Sequence, residues 1–200
     1  MKLMNEGKQY ELFIDPLLNS VHAAAVRMIP AGSTVIDVAC GNGTLALTTS
    51  RTASQVTGID LSPEMISYAT ERAEKQKRGN VDFRQMDASD LSAFKENEFG
   101  YATISMAIHQ FERETGMAIL KEVSRIAGSI IVIDYNFPLP GGYKGFVTRL
   151  IERIAGVEHN SNFKEYLQFG GMNSIAEACG LELKAKRGGR KSVFTVVHYV

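Results

Sequence analysis

The chain has 200 residues, enough to bury a full core, and we expect residues 1–200 to form a single domain. Its 22 Lys and Arg balance its 22 Asp and Glu, so no long-range charge draws it to nucleic acid or an anionic membrane, and neither is an expected partner. Two cysteines cannot form a disulfide scaffold, the first ten residues lack an apolar signal core, and no apolar run approaches a membrane span. We therefore expect a cytoplasmic protein, of an oligomeric state that the sequence does not indicate.

Short β-branched apolar runs alternate with amphipathic stretches along the chain, which predicts βαβ units around a mainly parallel sheet. Seven segments are predicted strands: residues 34–39, 56–60, 81–86, 99–105, 129–134, 181–186 and 193–200. The last two are separated by a short glycine-containing segment, so they should pair antiparallel as a hairpin at the edge of the sheet. The expected fold is α/β, with a Rossmann-like seven-stranded sheet and helices on both faces.

The clearest predicted helix begins after Ser62, which can cap it, with Pro63 at the first helical position and Gly79 just past its end. Other helices are predicted at residues 10–28, 44–51, 114–126 and 172–179.

Residues 136–171 depart from this regular pattern. They hold six of the 17 aromatic residues and six of the 18 glycines. Aromatic bulk on a glycine-jointed backbone suits a mobile, lid-like cover over a pocket. A packed helical insertion is the alternative.

The strongest local signal is a buried strand that turns through Gly41 and Gly43 directly into a helix. The spacing satisfies G-x-G-x-x-[GA], so a dinucleotide site must be considered. Asp37, however, lies at the strand end, where it would repel a pyrophosphate by about 3 kcal/mol at about 5 Å. An amino-acid moiety fits better, with its ammonium near Asp37 and its carboxylate near the backbone N–H groups around Gly43.

Acids also end the next two predicted strands. Asp60 follows Gly41 by 19 residues, a position from which a carboxylate accepts hydrogen bonds from two ribose hydroxyls, and Leu61 can supply an apolar face for a base. Asp87, after the third strand, could accept from an exocyclic amine such as that of adenine. Each acid alone is weak evidence, because strand-end Asp residues often belong to turns, but together they mark one edge of the sheet.

With these motifs, the chain resembles the class I S-adenosylmethionine-dependent methyltransferases, most closely the group of ubiquinone and menaquinone biosynthesis methyltransferases. The resemblance rests on VIDVACGNGTLAL, GIDLSPEMISYA, FRQMDASDL and FGYATISMAIHQF, and it spans nearly the whole chain. It differs from the commoner motif by Ala39 in place of the first glycine, which is a mild change. It implies S-adenosylmethionine as cofactor, S-adenosylhomocysteine as product, and these cofactor-binding residues: Asp37, Cys40, Gly41, Gly43, Asp60, Leu61, Met65, Asp87, Ala88, Ser105 and Met106.

We therefore expect methyl transfer to a small or medium-sized, partly apolar acceptor. His109 is the candidate catalytic base and Tyr135 a weaker acceptor-site candidate; packing in the core is the alternative for both. No metal is expected, because the fourth strand ends in Ser105 without the acid that a hard cation needs. An NAD(P)-dependent oxidoreductase and a non-catalytic cofactor-binding module remain alternative functions.

Overall fold

The structure is a computed structural model that describes residue 12, residues 15–154 and residues 156–200. Seven strands form one sheet: β1 (Thr34–Val38), β2 (Gln55–Asp60), β3 (Val81–Gln85), β4 (Tyr101–Ser105), β5 (Ile130–Tyr135), β6 (Leu183–Arg187) and β7 (Phe194–Tyr199). Their order is β3-β2-β1-β4-β5-β7-β6. Strands β1 to β5 are parallel, and β7 pairs antiparallel with both β5 and β6.

The predicted pairing of the last two strands is confirmed, but the chain does not simply continue outward from β5. β7 inserts beside β5 and leaves β6 at the edge. β7 is a buried strand, with Thr195, Val197 and Tyr199 among its buried residues. β6 is largely exposed and carries Lys and Arg, which suits an edge strand.

The helices in the described residues are α1 (Asp15–Val26), α2 (Thr44–Thr49), α3 (Pro63–Lys75), α4 (Arg113–Ile126), α5 (Gly142–Ile154), α6 (Val157–Phe169) and α7 (Gly171–Ala178), with a 3-10 turn at Ile108–Gln110. Ser62 caps α3 as predicted, since its hydroxyl accepts from the Met65 N–H. The predicted helix at residues 10–28 is present as α1, and its predicted start lies outside the described residues. None of the described helices combines the length and apolar character needed to cross a bilayer.

Two apolar clusters cover the two faces of the sheet. One joins α4, α6 and α7 to strand residues such as Ile104 and Val132. The other joins α1 and α2 to strand residues such as Val35 and Ile131. Helices therefore lie on both faces, as expected for a sheet whose strands are near-continuous apolar runs.

Segment 136–171 is helical, and sequence periodicity did not predict α5 or α6. Phe163 and Tyr166 are buried, and the Tyr166 hydroxyl donates to the Tyr135 carbonyl oxygen at 2.8 Å. Tyr143 and Phe146 are 81% and 64% exposed. Part of the segment is thus packed as an insertion, while the aromatic side chains of α5 face outward.

Candidate functional site

A cavity of about 470 Å³ opens at the carboxyl ends of β1, β2 and β4, where the strand order reverses direction. Crevices at such points are where open α/β sheets bind ligands. Eight of the eleven predicted cofactor-binding residues line it: Gly41, Asp60, Leu61, Met65, Asp87, Ala88, Ser105 and Met106. The structure therefore brings together, around one cavity, predicted residues from four separate segments of the sequence.

The Asp60 carboxylate holds the turn after β1. One of its oxygens accepts from the Gly41 N–H at 2.7 Å, and the other accepts from the Ser62 N–H at 2.9 Å. Each oxygen keeps a further lone pair, and Asp60 lines the cavity. This geometry is compatible with acceptance from vicinal hydroxyls of a ligand.

Three residues of this turn have positive φ angles: Ala39 at 53°, Gly41 at 53° and Gly43 at 77°. A Cβ built on Gly41 would meet nothing within 4 Å, so the backbone there is open to a ligand. A Cβ on Gly43 would lie 2.7 Å from Phe83 Cζ, and the Gly43 N–H donates to the Cys40 carbonyl oxygen. Gly43 therefore serves packing and the turn, and its N–H is not free for the ligand carboxylate expected from the sequence.

Asp37 and Cys40 line a second, smaller cavity of about 40 Å³, which shares Ala39, Gly41 and Ser105 with the large one. One Asp37 oxygen accepts from the Thr103 hydroxyl at 2.6 Å. The other has no hydrogen-bond partner among the described residues. Burial raises the pKa of Asp37 to about 7, against the opposing effects of the Thr103 hydroxyl and of the nearby Ala46 N–H, which does not reach hydrogen-bond geometry with the second oxygen.

Asp15 contributes a second unpartnered buried oxygen at the small cavity, and sequence reasoning missed it. Its Oδ2 accepts from Asn42 Nδ2 at 2.9 Å and from the Thr44 hydroxyl at 2.5 Å, while Oδ1 has no partner among the described residues. Arg72 also donates to the Thr44 hydroxyl, at 2.7 Å. Helix α1 is thereby fixed to the glycine turn, and the two residues with an orphaned acceptor, Asp15 and Asp37, both line the small cavity.

His22 of α1 was also missed. Its Nε2 lies 3.0 Å from the Ser105 hydroxyl, and it lines the small cavity. Burial lowers the pKa of His22 to about 4, partly offset by the Asp15 charge. His22 is therefore neutral at neutral pH and holds Ser105 in place where the two cavities meet.

The outer end of the large cavity carries the residues expected to contact an adenine. Leu61 is 66% exposed and Met65 half-buried, so both present apolar surface that no protein group covers fully. Asp87 is exposed and accepts from the Ser89 N–H and hydroxyl, both at 2.8 Å. These hydrogen bonds lower its pKa, so the carboxylate is ionised and available as an acceptor.

The two predicted catalytic residues, His109 and Tyr135, are not among the residues that line either cavity. His109 Nδ1 lies 2.7 Å from Asp134 Oδ1, and its side chain is only 2% exposed. The Tyr135 hydroxyl donates to Glu152 at 2.5 Å. The His109 ring lies in a buried polar cluster with Asp134 and Glu152, next in sequence to the cavity-lining Gln110 and Phe111, and its catalytic role stays a prediction.

Comparisons with known proteins show which family and fold this chain is similar to. A methyltransferase-domain family matches residues 35–128. The chain is 28% identical over 147 residues to a demethylmenaquinone methyltransferase of Oceanobacillus iheyensis, covering 69% of this chain and 60% of that protein. It is 27% identical over 173 residues to a ubiquinone biosynthesis O-methyltransferase of Xanthomonas axonopodis pv. citri, covering 82% and 69%. A crystal structure of a methyltransferase from Aquifex aeolicus, described as SAM dependent, has the same fold, with a TM-score of 0.65 at 18% identity over 98% of both chains.

Residues 35–128 match the methyltransferase-domain family, and the chain is similar in sequence and fold to S-adenosylmethionine-dependent methyltransferases. Among the proteins named above, it is similar in sequence to methyltransferases of menaquinone and ubiquinone biosynthesis, and it spans about 60% of the length of the first of them. S-adenosylmethionine is the cofactor of this family, and the oxidoreductase alternative is not favoured.

Proposed function

We propose that this chain transfers a methyl group from S-adenosylmethionine to a small or medium-sized, partly apolar acceptor. The observation that carries the proposal is the pair of unpartnered, buried carboxylate oxygens of Asp37 and Asp15 at the small cavity. Buried acceptors without donors are costly, and an ammonium group would supply the donors. A pyrophosphate would supply only more negative charge.

The remaining residues fit the rest of the cofactor. Asp60 would accept from the ribose hydroxyls, Leu61 and Met65 would contact the adenine face, and Asp87 with Ala88 would meet its polar edge. Of the other predicted cofactor residues, Cys40 lies beside the small cavity, whereas Gly43 acts through packing. When bound, the cofactor supplies a methyl group that its sulfonium already makes electrophilic.

The task of the chain is then to orient the acceptor and to exclude water. Ser105 lines both cavities, and Met106, which lines the large one, has a positive φ of 55° that turns the chain sharply after β4. Because His22 is neutral, it places no second cation near the sulfonium.

The acceptor side of the cavity includes Phe111 and Ile119 beside Gln110 and Thr115, so it is partly apolar. Among the described residues that line it, the titratable side chains are Asp60 and Asp87, which we assign to the cofactor. An acceptor that carries an acidic hydroxyl or an activated ring carbon needs little help from a protein base. Hydroxylated aromatic and quinone-like molecules have these properties, and the names of the two relatives point to the same class.

Segment 136–171 serves as the lid-like cover in this proposal. Asn162 of α6 donates to the Gln110 carbonyl oxygen at 2.7 Å, so the segment touches the cavity wall directly. His109 and Tyr135 act as positioning residues, because they join the same wall to α5 and α6. A cytoplasmic location, a single domain and the lack of nucleic-acid partners remain predictions.

The test has two parts. Calorimetric titration with S-adenosylmethionine should show binding, and a screen of phenolic and quinone-like acceptors with methyl-labelled cofactor should show label transfer, starting with demethylmenaquinone. Asp60→Ala should weaken cofactor binding and slow label transfer, and Asp90→Asn, an exposed site away from the cavity, should leave both unchanged. Absence of cofactor binding at millimolar concentration would refute the proposal.

A further inference from the structure

We propose that His109, Glu152 and His159 form a binding site for a divalent transition-metal ion such as Zn²⁺. The three side chains come from the 3-10 turn, α5 and α6, and each offers one ligand atom within 4.8 Å of the others. The chain has four histidines, and two of them meet here at one carboxylate.

The distances are close to those of a metal site. Zn–N and Zn–O bonds of about 2.0–2.1 Å in a tetrahedral site separate ligand atoms by roughly 3.3 Å. His109 Nε2 lies 3.9 Å from Glu152 Oε2, and His159 Nε2 is in direct contact with the same oxygen. The ligand atoms of His109 and His159 lie within 4.8 Å of each other, so side-chain adjustments of up to about 1.5 Å would admit the ion. Two histidines and one glutamate form a ligand set typical of zinc sites with an open fourth position.

The groups around the ligands also favour a metal. Asp134 lies 2.7 Å from His109 Nδ1, so this nitrogen can donate and leave Nε2 free to face Glu152 and His159. Such a carboxylate–histidine pair orients metal-binding imidazoles in many proteins. The Tyr135 hydroxyl donates to the other Glu152 oxygen, which fixes the second carboxylate.

Charge balance supports the same conclusion. Two carboxylates, those of Asp134 and Glu152, are 0% and 5% exposed. The ion pairs that the structure records for them have histidine partners. With both histidines neutral, a divalent cation would bring the buried cluster to zero net charge, and buried charges need such compensation.

The site is reachable and its position suggests a role. His159 has a side chain 24% exposed and lines an open cleft together with Gln110 and Phe111, which also line the large cavity. The ion would therefore clamp α5 and α6 to the turn that forms the acceptor wall. Asn136, which follows β5, donates to the carbonyl oxygens of Gly189 and Ser192 and is not part of the cluster. The proposal revises the sequence-based expectation of no metal.

The test is calorimetric titration of the chelator-treated full chain with ZnCl₂, with Co²⁺ absorption in the visible range as a second readout of coordination. We expect one equivalent to bind, with His159→Gln and Glu152→Gln weakening binding at least tenfold. Glu152→Gln keeps an acceptor for Tyr135, and His159 is partly exposed, so both variants should fold, which circular dichroism checks. His198→Gln, in β7, is the matched control and should bind as the parent does.

Hydrogen exchange provides an independent readout of the clamp. Bound Zn²⁺ should slow exchange at residues 142–169 in the parent and in His198→Gln, but not in His159→Gln. No saturable Zn²⁺ binding, or binding unchanged in folded His159→Gln, would overturn the proposal. Neither outcome depends on S-adenosylmethionine or on an acceptor.

Discussion

The Asp60 carboxylate accepts a hydrogen bond from the backbone N–H of Gly41 at 2.7 Å, although the two residues are 19 positions apart in the sequence. The same carboxylate accepts from the Ser62 N–H, so one side chain ties the turn after β1 to the start of α3. Its contribution to the fold and the ligand-binding role proposed for it can be measured separately.

We expect Asp60→Ala to weaken S-adenosylmethionine binding by about 1–3 kcal/mol, or about 5- to 150-fold, because a charged acceptor is lost. Calorimetry measures the affinity, and urea denaturation measures the accompanying loss of stability. Asp90→Asn is the control, since Asp90 is exposed and accepts only from the nearby Ser92. Unchanged affinity in a folded Asp60→Ala protein would contradict the ribose assignment.

The glycines of the turn should respond differently to alanine. Gly41→Ala places a Cβ in open space at a positive φ, so it should cost about 1–2 kcal/mol of stability and also reduce cofactor affinity. Gly43→Ala adds a clash with Phe83 and Ala69 and should cost more, about 3 kcal/mol or above. Denaturation curves of both variants give the comparison, and equal losses would show that Gly43 is not a packing position.

Cofactor affinity should rise with pH through the titration of Asp37. Its pKa of about 7 means that the carboxyl group is largely protonated at pH 5.5, and an ammonium ligand binds the ionised form. Affinity should therefore fall on the order of 20-fold between pH 7.5 and pH 5.5. Asp37→Asn should bind weakly, with little of this pH dependence. Stronger nucleotide binding by Asp37→Asn would instead favour the dinucleotide alternative.

Asp37 should also make the protein less stable at higher pH. Because its folded pKa lies above the ordinary value of 3.8, the folded state binds the extra proton and loses stability as pH rises from about 4 to 7. The difference amounts to about 4 kcal/mol at most. Asp37→Asn, which keeps an acceptor for Thr103, should be more stable than the parent at pH 8. Denaturation at pH 5 and pH 8 tests this, and a parent with equal or greater stability than the variant at pH 8 would contradict it.

His109→Ala should destabilise the fold by about 3–5 kcal/mol, because it leaves the buried carboxylate of Asp134 without its imidazole partner. His198→Ala, at a half-buried position in β7, should cost less. Urea denaturation in the presence of a chelator compares the two variants. Loss of methyl transfer by His109→Ala without loss of stability would return His109 to the role of catalytic base.

The sequence was informative where chemistry is encoded locally. Asp60 and Asp87 follow apolar strand runs, and parallel strands bring their carboxyl ends to one edge, so their convergence could be predicted. The places of Asp15 and His22 at the site could not be predicted, because their hydrogen-bond partners lie 27 and 83 residues away in the sequence. These contacts depend on how α1 packs against the sheet. The cluster of His109 with Glu152 could not be predicted either, because Glu152 lies in a helix that periodicity did not predict.

The left-handed residues Ala39 and Met106 are 67 positions apart in sequence, yet they directly follow β1 and β4, which are neighbours in the sheet. From this shared boundary the chain departs toward helices on opposite faces, α2 on one and α4 on the other. The position of the large cavity is thus set by the path of the main chain. Substitutions of the side chains that line this cavity should change which molecules it accommodates. The position of the cavity should be the same in every homologue that keeps the strand order.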